Sequence, residues 1–176
     1  IGSDAFALVW MKDELYGLNA SGPSAKTISK EALAEQGHDK IPMHGVIPVT
    51  VPGAPAAWAS LSKRFGKLSL SEVLAPAISY AEEGYPISAT LGQNWQSAYK
   101  KYKQSLTTEE FQHWFDTFSI DGRMPEIGEV WNSPGHGDTL RKIAKSNGEA
   151  FYKGDIADKI DAFMKKYNGF ISKEDL

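Results

Sequence analysis

One segment constrains the fold of this chain more than any other: residues 45–58, which read Gly-Val-Ile-Pro-Val-Thr-Val-Pro-Gly-Ala-Pro-Ala-Ala-Trp. Its first half is rich in β-branched residues and is interrupted by Pro48, which predicts a short edge or bulged strand over residues 46–51. Pro52 and Gly53 form a turn signal, and the alanines that follow favour a helix. We therefore expect an extended segment that changes into a helix at Pro52.

Length and composition limit the classes of protein to consider. A chain of 176 residues, 41% hydrophobic and 23% charged, can bury the core of one globular domain. The net charge of −3 argues against a surface for polyanions, so nucleic acid is not an expected partner. The absence of cysteine excludes disulfides, thiolate metal sites and cysteine nucleophiles. No apolar run reaches the ~20 residues that cross a bilayer, so this segment is not expected to enter a membrane.

The beginning of the chain predicts a β-hairpin. Apolar runs at residues 6–10 and 15–18 are separated by Met11-Lys-Asp-Glu14, a charge-rich connection of hairpin length. Residues 1–52 are expected to contribute this hairpin and the strand near 46–51 to a sheet. The first strand begins almost at residue 1 and a new helix cap begins at Ser172, so the pattern predicts one structural domain truncated at both ends.

Helical periodicity dominates residues 53–176, which makes the predicted class helix-rich α+β. Helices are expected from Ser29 to Gly37, from residue 53 to Gly66, from Ser69 or Ser71 to Gly84, over 88–103, 108–118, 139–145 and 156–167, and from Ser172 onward. Asp138 and Asp155 are the expected caps of two of these helices. Residues 121–137 are rich in Gly and Pro, which predicts a long surface loop.

Several side chains carry possible metal chemistry. Glu110 and His113 form a Glu-x-x-His pair on a helix, but a bundle metal site needs two such pairs, so a solvated helix face is the favoured interpretation. His38 and His44 lie near Asp39 without further ligands at recognisable spacing, which favours ordinary loop histidines. No metal site is predicted.

Two further patterns have a functional and a structural interpretation. Residues 134–138 could hold an anion at a helix entry, but they lack the features of a phosphate loop, which favours a capped helix start. Trp95, Tyr99 and Tyr102 could form a stacking surface, yet their helical spacing is more typical of a core stripe. The residues taken alone indicate an α+β piece without a self-contained catalytic centre.

A series of short motifs resembles the γ-glutamyltransferase family. The run Ile1-Gly-Ser-Asp-Ala-Phe6 is similar to a Gly-rich motif of that family, with Ser3 where many members carry glycine, and Val51-Pro-Gly53 is similar to its Val-Pro-Gly motif. Further similar runs follow in the family's order at residues 64–68, 74–78, 81–86, 128–130, 139–141, 143–144, 151–154 and 174–176. The chain is identified as a member, from the middle of the large subunit, in the cephalosporin-acylase-like branch.

This resemblance implies an αββα N-terminal-nucleophile hydrolase, made as a precursor that cleaves itself. Cleavage exposes a threonine at the start of the small subunit, and the threonine's own α-amine acts as its base. The family's cleavage point lies beyond Leu176, so no catalytic residue is expected in residues 1–176 and the fragment alone should be inactive. The implied partners are the small subunit of the same precursor and a γ-glutamyl or glutaryl amide such as glutathione, and no cofactor is implied.

One departure from the family concerns the substrate. In typical members the strand that corresponds to residues 16–19 leads to an arginine, which binds the α-carboxylate of the glutamyl group by a bidentate pair. Here the matching residues are Ala20-Ser-Gly-Pro23, without arginine. Ser21 and the N–H of Gly22 are the expected substrate-binding groups. A non-catalytic helical scaffold or binding module remains the alternative to an enzyme.

Overall fold

The computed structural model describes residues 1–176 and divides them into two compact units. The first unit comprises Ile1–Leu74 and Arg141–Leu176, and the second comprises Ala75–Leu140. Strands and helices follow in the order β1 (Ala5–Met11), β2 (Glu14–Ala20), α1 (Lys30–Glu35), α2 (Ala54–Phe65), α3 (Leu70–Glu83), β3 (Tyr85–Pro86), α4 (Ala89–Ser105), α5 (Gln112–Phe118), β4 (Val130–Trp131), α6 (Pro134–Lys145), α7 (Glu149–Lys153) and α8 (Asp155–Lys166). The helix-rich α+β prediction is confirmed at this level.

The predicted hairpin forms at the start of the first unit. β1 and β2 pair antiparallel from Ala5 opposite Ala20 to Met11 opposite Glu14. Lys12 and Asp13 make the two-residue turn, with φ of 54° and 60°. Positive φ at both turn residues matches the right-handed twist of the strands, so the turn can be this short.

The two faces of the hairpin have different surroundings. The inner face packs on α2, where the rings of Tyr16 and Phe65 lie 5.1 Å apart and the Arg64 guanidinium lies 4.3 Å from the centre of the Tyr16 ring. The outer face exposes four large apolar side chains: Phe6, Leu8, Trp10 and Leu15. One side of the hairpin is therefore packed, and the other is an apolar surface open to solvent.

The strand predicted near residues 46–51 does not form. The Val51 N–H donates to the carbonyl oxygen of Pro23 instead of joining a strand ladder. Pro48 has no N–H to donate, and Gly45 has φ of 99°, which is outside the strand region. The segment instead buries its side chains in an apolar cluster formed by Ala25, Leu33, Val46, Ile47, Val51, Met164 and Ile171.

Local capping signals account for most helix ends in the first unit. Ser29 accepts a hydrogen bond from the Ala32 N–H at the start of α1, and Gly37 follows its end with φ of 80°. At α3, Ser69 and Glu72 form a reciprocal capping box, and these hydrogen bonds lower the pKa of Glu72.

The second unit corrects two expectations. Residues 121–137 were expected to be one loop, but they include β4, which pairs with β3, and the start of α6. The helix begins at Pro134 rather than after Asp138, because Ser133 and Pro134 supply the helix entry. Asp138 therefore lies within the helix.

Two further caps differ from the sequence prediction. Gly154, and not Asp155, is the residue that precedes α8, and the Asp155 carboxylate binds Lys142 at 2.6 Å. Residues 172–175 form a hydrogen-bonded turn. No helix is both long and apolar enough to cross a membrane.

Candidate functional site

Three of the motif segments meet in the first unit, although they are far apart in the sequence. The Ala54 N–H donates to the carbonyl oxygen of Ser3 at 3.0 Å, and the Val51 N–H donates to the carbonyl oxygen of Pro23 at 2.9 Å. The start of the chain, the loop after β2 and the Val-Pro-Gly turn are therefore joined by backbone hydrogen bonds. We call residues 20–23 the acyl loop.

Two glycines allow the acyl loop and the turn to approach closely. A Cβ atom on Gly22 would lie 1.8 Å from the carbonyl oxygen of Val51, and one on Gly53 would lie 2.0 Å from the carbonyl oxygen of Ala20. Gly22 also has φ of +74°, a conformation that side chains disfavour. Glycine is required at both positions for steric reasons.

The two predicted substrate-binding residues lie on the acyl loop and retain free donors. The Ser21 N–H donates to Oδ1 of Asn19 at 2.9 Å, which fixes the backbone where β2 ends. Within the chain, neither the Ser21 hydroxyl nor the Gly22 N–H has a hydrogen-bond partner. Both residues are half-buried. The loop therefore presents two adjacent donors on a fixed backbone.

The turn is also fixed by a side chain that sequence reasoning missed. The Tyr152 hydroxyl donates to the carbonyl oxygen of Pro52 at 2.7 Å and accepts from the Ala56 N–H at 3.1 Å. Burial raises the pKa of this phenol, so it stays protonated and able to donate at neutral pH. Tyr152 lies about 100 residues from the turn. Its run, residues 151–154, resembles a family motif, but nothing in that run indicated a contact with the turn.

No positively charged side chain belongs to the acyl loop. Residues 13–25 contain no Lys or Arg. The next cation, Lys26, directs its ammonium group to the carbonyl oxygen of Glu174 at 2.8 Å. The donors that the loop itself offers are neutral.

The other candidate residues do not assemble into a site. No group of three His, Cys, Asp or Glu side chains is arranged to hold a metal ion. In the second unit, Ser133 Oγ lies 2.6 Å from Nδ1 of His136 at the start of α6, and burial lowers the pKa of His136. Residues 134–138 thus form the first turn of α6 itself, rather than an entry that precedes a helix capped at Asp138.

The aromatic stripe of α4 packs against other rings of the second unit. Trp95 lies 5.9 Å from Phe118 and 5.0 Å from Trp131 between ring centres, and Tyr99 lies 5.7 Å from Phe115. Edge-to-face pairs of this kind contribute to packing. The stripe residues Trp95, Tyr99 and Tyr102 are half-buried and pack on other rings, which favours the packing interpretation over a stacking surface for nucleic acid.

The structure is a mixed helix-and-strand piece, and it matches solved structures of one class of hydrolases, which includes a cephalosporin acylase and gamma-glutamyltranspeptidases. The family model described as gamma-glutamyltranspeptidase matches residues 1–176. The chain belongs to the gamma-glutamyltranspeptidase family.

Individual relatives are similar over the whole chain. The crystal structure of cephalosporin acylase from Bacillus halodurans is 56% identical, superposes with a TM-score of 0.96, and is matched over 99% of this chain and 33% of its own. The glutathione hydrolase-like YwrD proenzyme of Bacillus subtilis is 29% identical over 99% of this chain and 32% of its own length. The glutathione hydrolase proenzyme of Pseudomonas aeruginosa is 31% identical over 100% of this chain and 30% of its own length. The chain spans about a third of the length of these curated relatives.

Proposed function

We propose that the chain is part of an N-terminal-nucleophile enzyme that hydrolyses or transfers the acyl group of γ-glutamyl or glutaryl amides. The observation that carries this proposal is the acyl loop, which joins the Val-Pro-Gly turn and presents the free Ser21 hydroxyl and Gly22 N–H. The similarity to a cephalosporin acylase and to glutathione hydrolases supports it.

In the proposed reaction, the hydroxyl of an N-terminal threonine outside residues 1–176 attacks the amide carbonyl carbon. The threonine's α-amine takes the hydroxyl proton and delivers it to the leaving amine as the C–N bond breaks. Water or an amino acid then attacks the acyl ester and releases the threonine. The role proposed for the present chain is to bind the far end of the acyl group through Ser21 and Gly22.

The neutral donors of the acyl loop favour an acyl group that needs no bidentate guanidinium. A carboxylate at the far end of a glutaryl chain can accept hydrogen bonds from the Ser21 hydroxyl and the Gly22 N–H. A γ-glutamyl group adds an α-ammonium group, for which the acyl loop offers no carboxylate partner, since residues 20–23 contain no acid. We therefore propose glutaryl amides as the better substrates.

The exposed face of the hairpin supports an αββα arrangement of the whole enzyme. Phe6, Leu8, Trp10 and Leu15 form an apolar sheet face opposite the face that packs on α2. A sheet with helices on one side and apolar side chains on the other is typical of one half of two stacked sheets. The small subunit of the same precursor is the proposed source of the second sheet.

The test uses the full-length protein. Its intact mass and N-terminal sequence are measured after purification, and it is assayed with glutaryl and γ-glutamyl p-nitroanilides. A new N-terminal threonine with preferential glutaryl turnover is expected. Preferential γ-glutamyl turnover would contradict the substrate assignment alone. A single, uncleaved and inactive chain would contradict the enzyme and favour a scaffold or binding module.

The matched variants are Ser21→Ala and Ser24→Ala. The first removes the hydroxyl of the acyl loop, and the second removes an exposed hydroxyl three residues further on. Ser21→Ala should raise KM for the glutaryl substrate about tenfold to a hundredfold, the effect of one hydrogen bond to a charged group. Equal KM values for the two variants would contradict the role of Ser21.

A further inference from the structure

The segment that follows the acyl loop is held at a second point, by a residue 149 positions further along the chain. The Lys26 N–H donates to Oδ1 of Asp175 at 3.0 Å, and the Lys26 ammonium group donates to the carbonyl oxygen of Glu174 at 2.8 Å. The Thr27 hydroxyl donates to the carbonyl oxygen of Phe170 at 3.4 Å. The C-terminal turn and residues 26–27 are therefore directly joined.

The Asp175 carboxylate also holds its own turn together. Its Oδ2 atom accepts from the N–H of Ser172 at 2.9 Å and from the Ser172 hydroxyl at 2.8 Å. Partial burial would raise the pKa of Asp175, but the hydrogen bonds from Lys26 and Ser172 outweigh it and leave the pKa below its usual value. An ionised carboxylate with three donors is a strong and geometrically defined anchor.

The capping box at the start of α3 shows what is special about Asp175. Glu72 accepts hydrogen bonds from the N–H and the hydroxyl of Ser69, just as Asp175 does from Ser172. Glu72 has no hydrogen bond to a distant segment. Asp175, unlike Glu72, uses its second carboxylate oxygen, Oδ1, to bind the segment next to the acyl loop.

We propose that Asp175 is a positioning residue for the acyl loop. Pro23 is held by the Val51 N–H on one side, and Lys26 is held by Asp175 on the other, so residues 24–25 are fixed between two anchors. Loss of the second anchor frees the chain that leads out of the loop and loosens the placement of the Ser21 hydroxyl and the Gly22 N–H. The inference rests on the proposed function, in which these donors bind the acyl group.

The experiment compares three variants of the full-length protein. Asp175→Ala removes the hydrogen bonds to Ser172 and the hydrogen bond to the Lys26 N–H. Ser172→Ala removes only the hydroxyl bond within the C-terminal turn and keeps the bond between Asp175 and Lys26. Glu72→Ala removes the capping box of α3, which makes no hydrogen bond to a distant segment. Amide hydrogen exchange of residues 21–27 is measured by mass spectrometry for each. KM and kcat are measured with glutaryl p-nitroanilide.

Asp175→Ala should speed exchange over residues 21–27 about tenfold and raise KM about tenfold, with kcat within about twofold of the parent, since one hydrogen bond to a charged acceptor is lost. Ser172→Ala and Glu72→Ala should leave both quantities within about twofold. Asp175→Asn keeps one neutral acceptor oxygen for the Lys26 N–H, so its KM should rise only about threefold, since a neutral hydrogen bond is about half as strong as a charge-assisted one. That rise still separates Asp175→Asn from Glu72→Ala, so Asp175→Asn replaces Asp175→Ala if the alanine variant does not fold.

Two results would overturn the inference. The first is an exchange rate over residues 21–27 that is the same in Asp175→Ala and Glu72→Ala, and the second is a KM that is the same in these two variants. If Asp175 had a purely structural role, Asp175→Ala and Glu72→Ala would both lower the stability of the protein, and their KM values would be the same. A parent protein that hydrolyses neither substrate would overturn the proposed function, and the hydrogen exchange alone would then decide whether Asp175 holds the loop.

Discussion

Gly22 and Val51 are in backbone contact, so close that a Cβ atom at position 22 would lie 1.8 Å from the carbonyl oxygen of Val51. Gly22→Ala should therefore destabilise the protein by about 2–4 kcal/mol, because it combines a side chain at φ of +74° with a clash against backbone. Chemical denaturation gives the change in the free energy of unfolding.

Gly37→Ala is the matched control for this contact. Gly37 has φ of +80°, but a Cβ atom there would meet nothing within 4 Å. Its expected loss is about 1 kcal/mol, from the backbone conformation alone. Equal losses for the two variants would contradict the importance of the approach to Val51.

The hydroxyl of Tyr152 fixes the Val-Pro-Gly turn through Pro52 and Ala56. Tyr152→Phe keeps the ring but removes both hydrogen bonds, and should lower the free energy of unfolding by about 1–2 kcal/mol. Thermal denaturation of the purified protein measures this change.

Tyr80→Phe is the control, because the Tyr80 side chain is 60% exposed, its ring packs on Tyr85, and its hydroxyl makes no hydrogen bond within the chain. This variant should shift the melting temperature very little. A shift equal to that of Tyr152→Phe would show that the two hydroxyl contacts of Tyr152 do not stabilise the turn.

Glu129 and Arg123 form a bidentate ion pair in the second unit, with N–O distances of 2.8 Å in both arms. The hydrogen bonds from Arg123 lower the pKa of Glu129 from 4.5 to about 2. A carboxylate whose pKa is lowered on folding stabilises the protein above its unfolded pKa, and this contribution is lost as the pH falls toward the folded pKa. The stabilisation should therefore fade between about pH 5 and pH 2.

Glu129→Gln tests this dependence. The difference in denaturation midpoint between the parent and Glu129→Gln should be largest at neutral pH and vanish near pH 2. Glu126→Gln alters a nearby acid whose side chain is outside the pair, and its difference from the parent should not follow this profile. A pH-independent effect of Glu129→Gln would contradict the assignment.

The exposed face of the hairpin should matter for assembly of the full-length protein. Leu8 is 78% exposed, so Leu8→Lys places no charge in the packed part of this chain. If the face packs on a second sheet, the buried lysine should sharply lower the yield of assembled, processed protein, since an unpaired buried charge is strongly unfavourable. Size-exclusion chromatography and intact mass measure that yield.

Leu68→Lys provides the comparison, because Leu68 is also exposed, at 58%, but lies outside the hairpin. Its yield should match that of the parent. Normal assembly of Leu8→Lys would contradict the stacked-sheet proposal.

Local patterns were enough to predict most of the elements. The hairpin, α2 and the capped start of α1 follow from alternation, helical periodicity and a serine cap, all of which act between residues close in sequence. The failures occurred where local signals compete. Residues 46–51 have the composition of a strand, but Pro48 and Gly45 prevent the hydrogen bonds of a strand ladder. The apolar side chains of this segment are buried in the core instead.

The sequence by itself determined the family through its ordered motifs, the hairpin through its alternation, and the exclusion of cysteine chemistry through its composition. Tertiary structure decided which distant groups meet: Gly22 with Val51, Tyr152 with Pro52, and Lys26 with Asp175. Such contacts depend on how helices and loops pack, and no periodicity within one element records the partner of a residue that lies a hundred positions away.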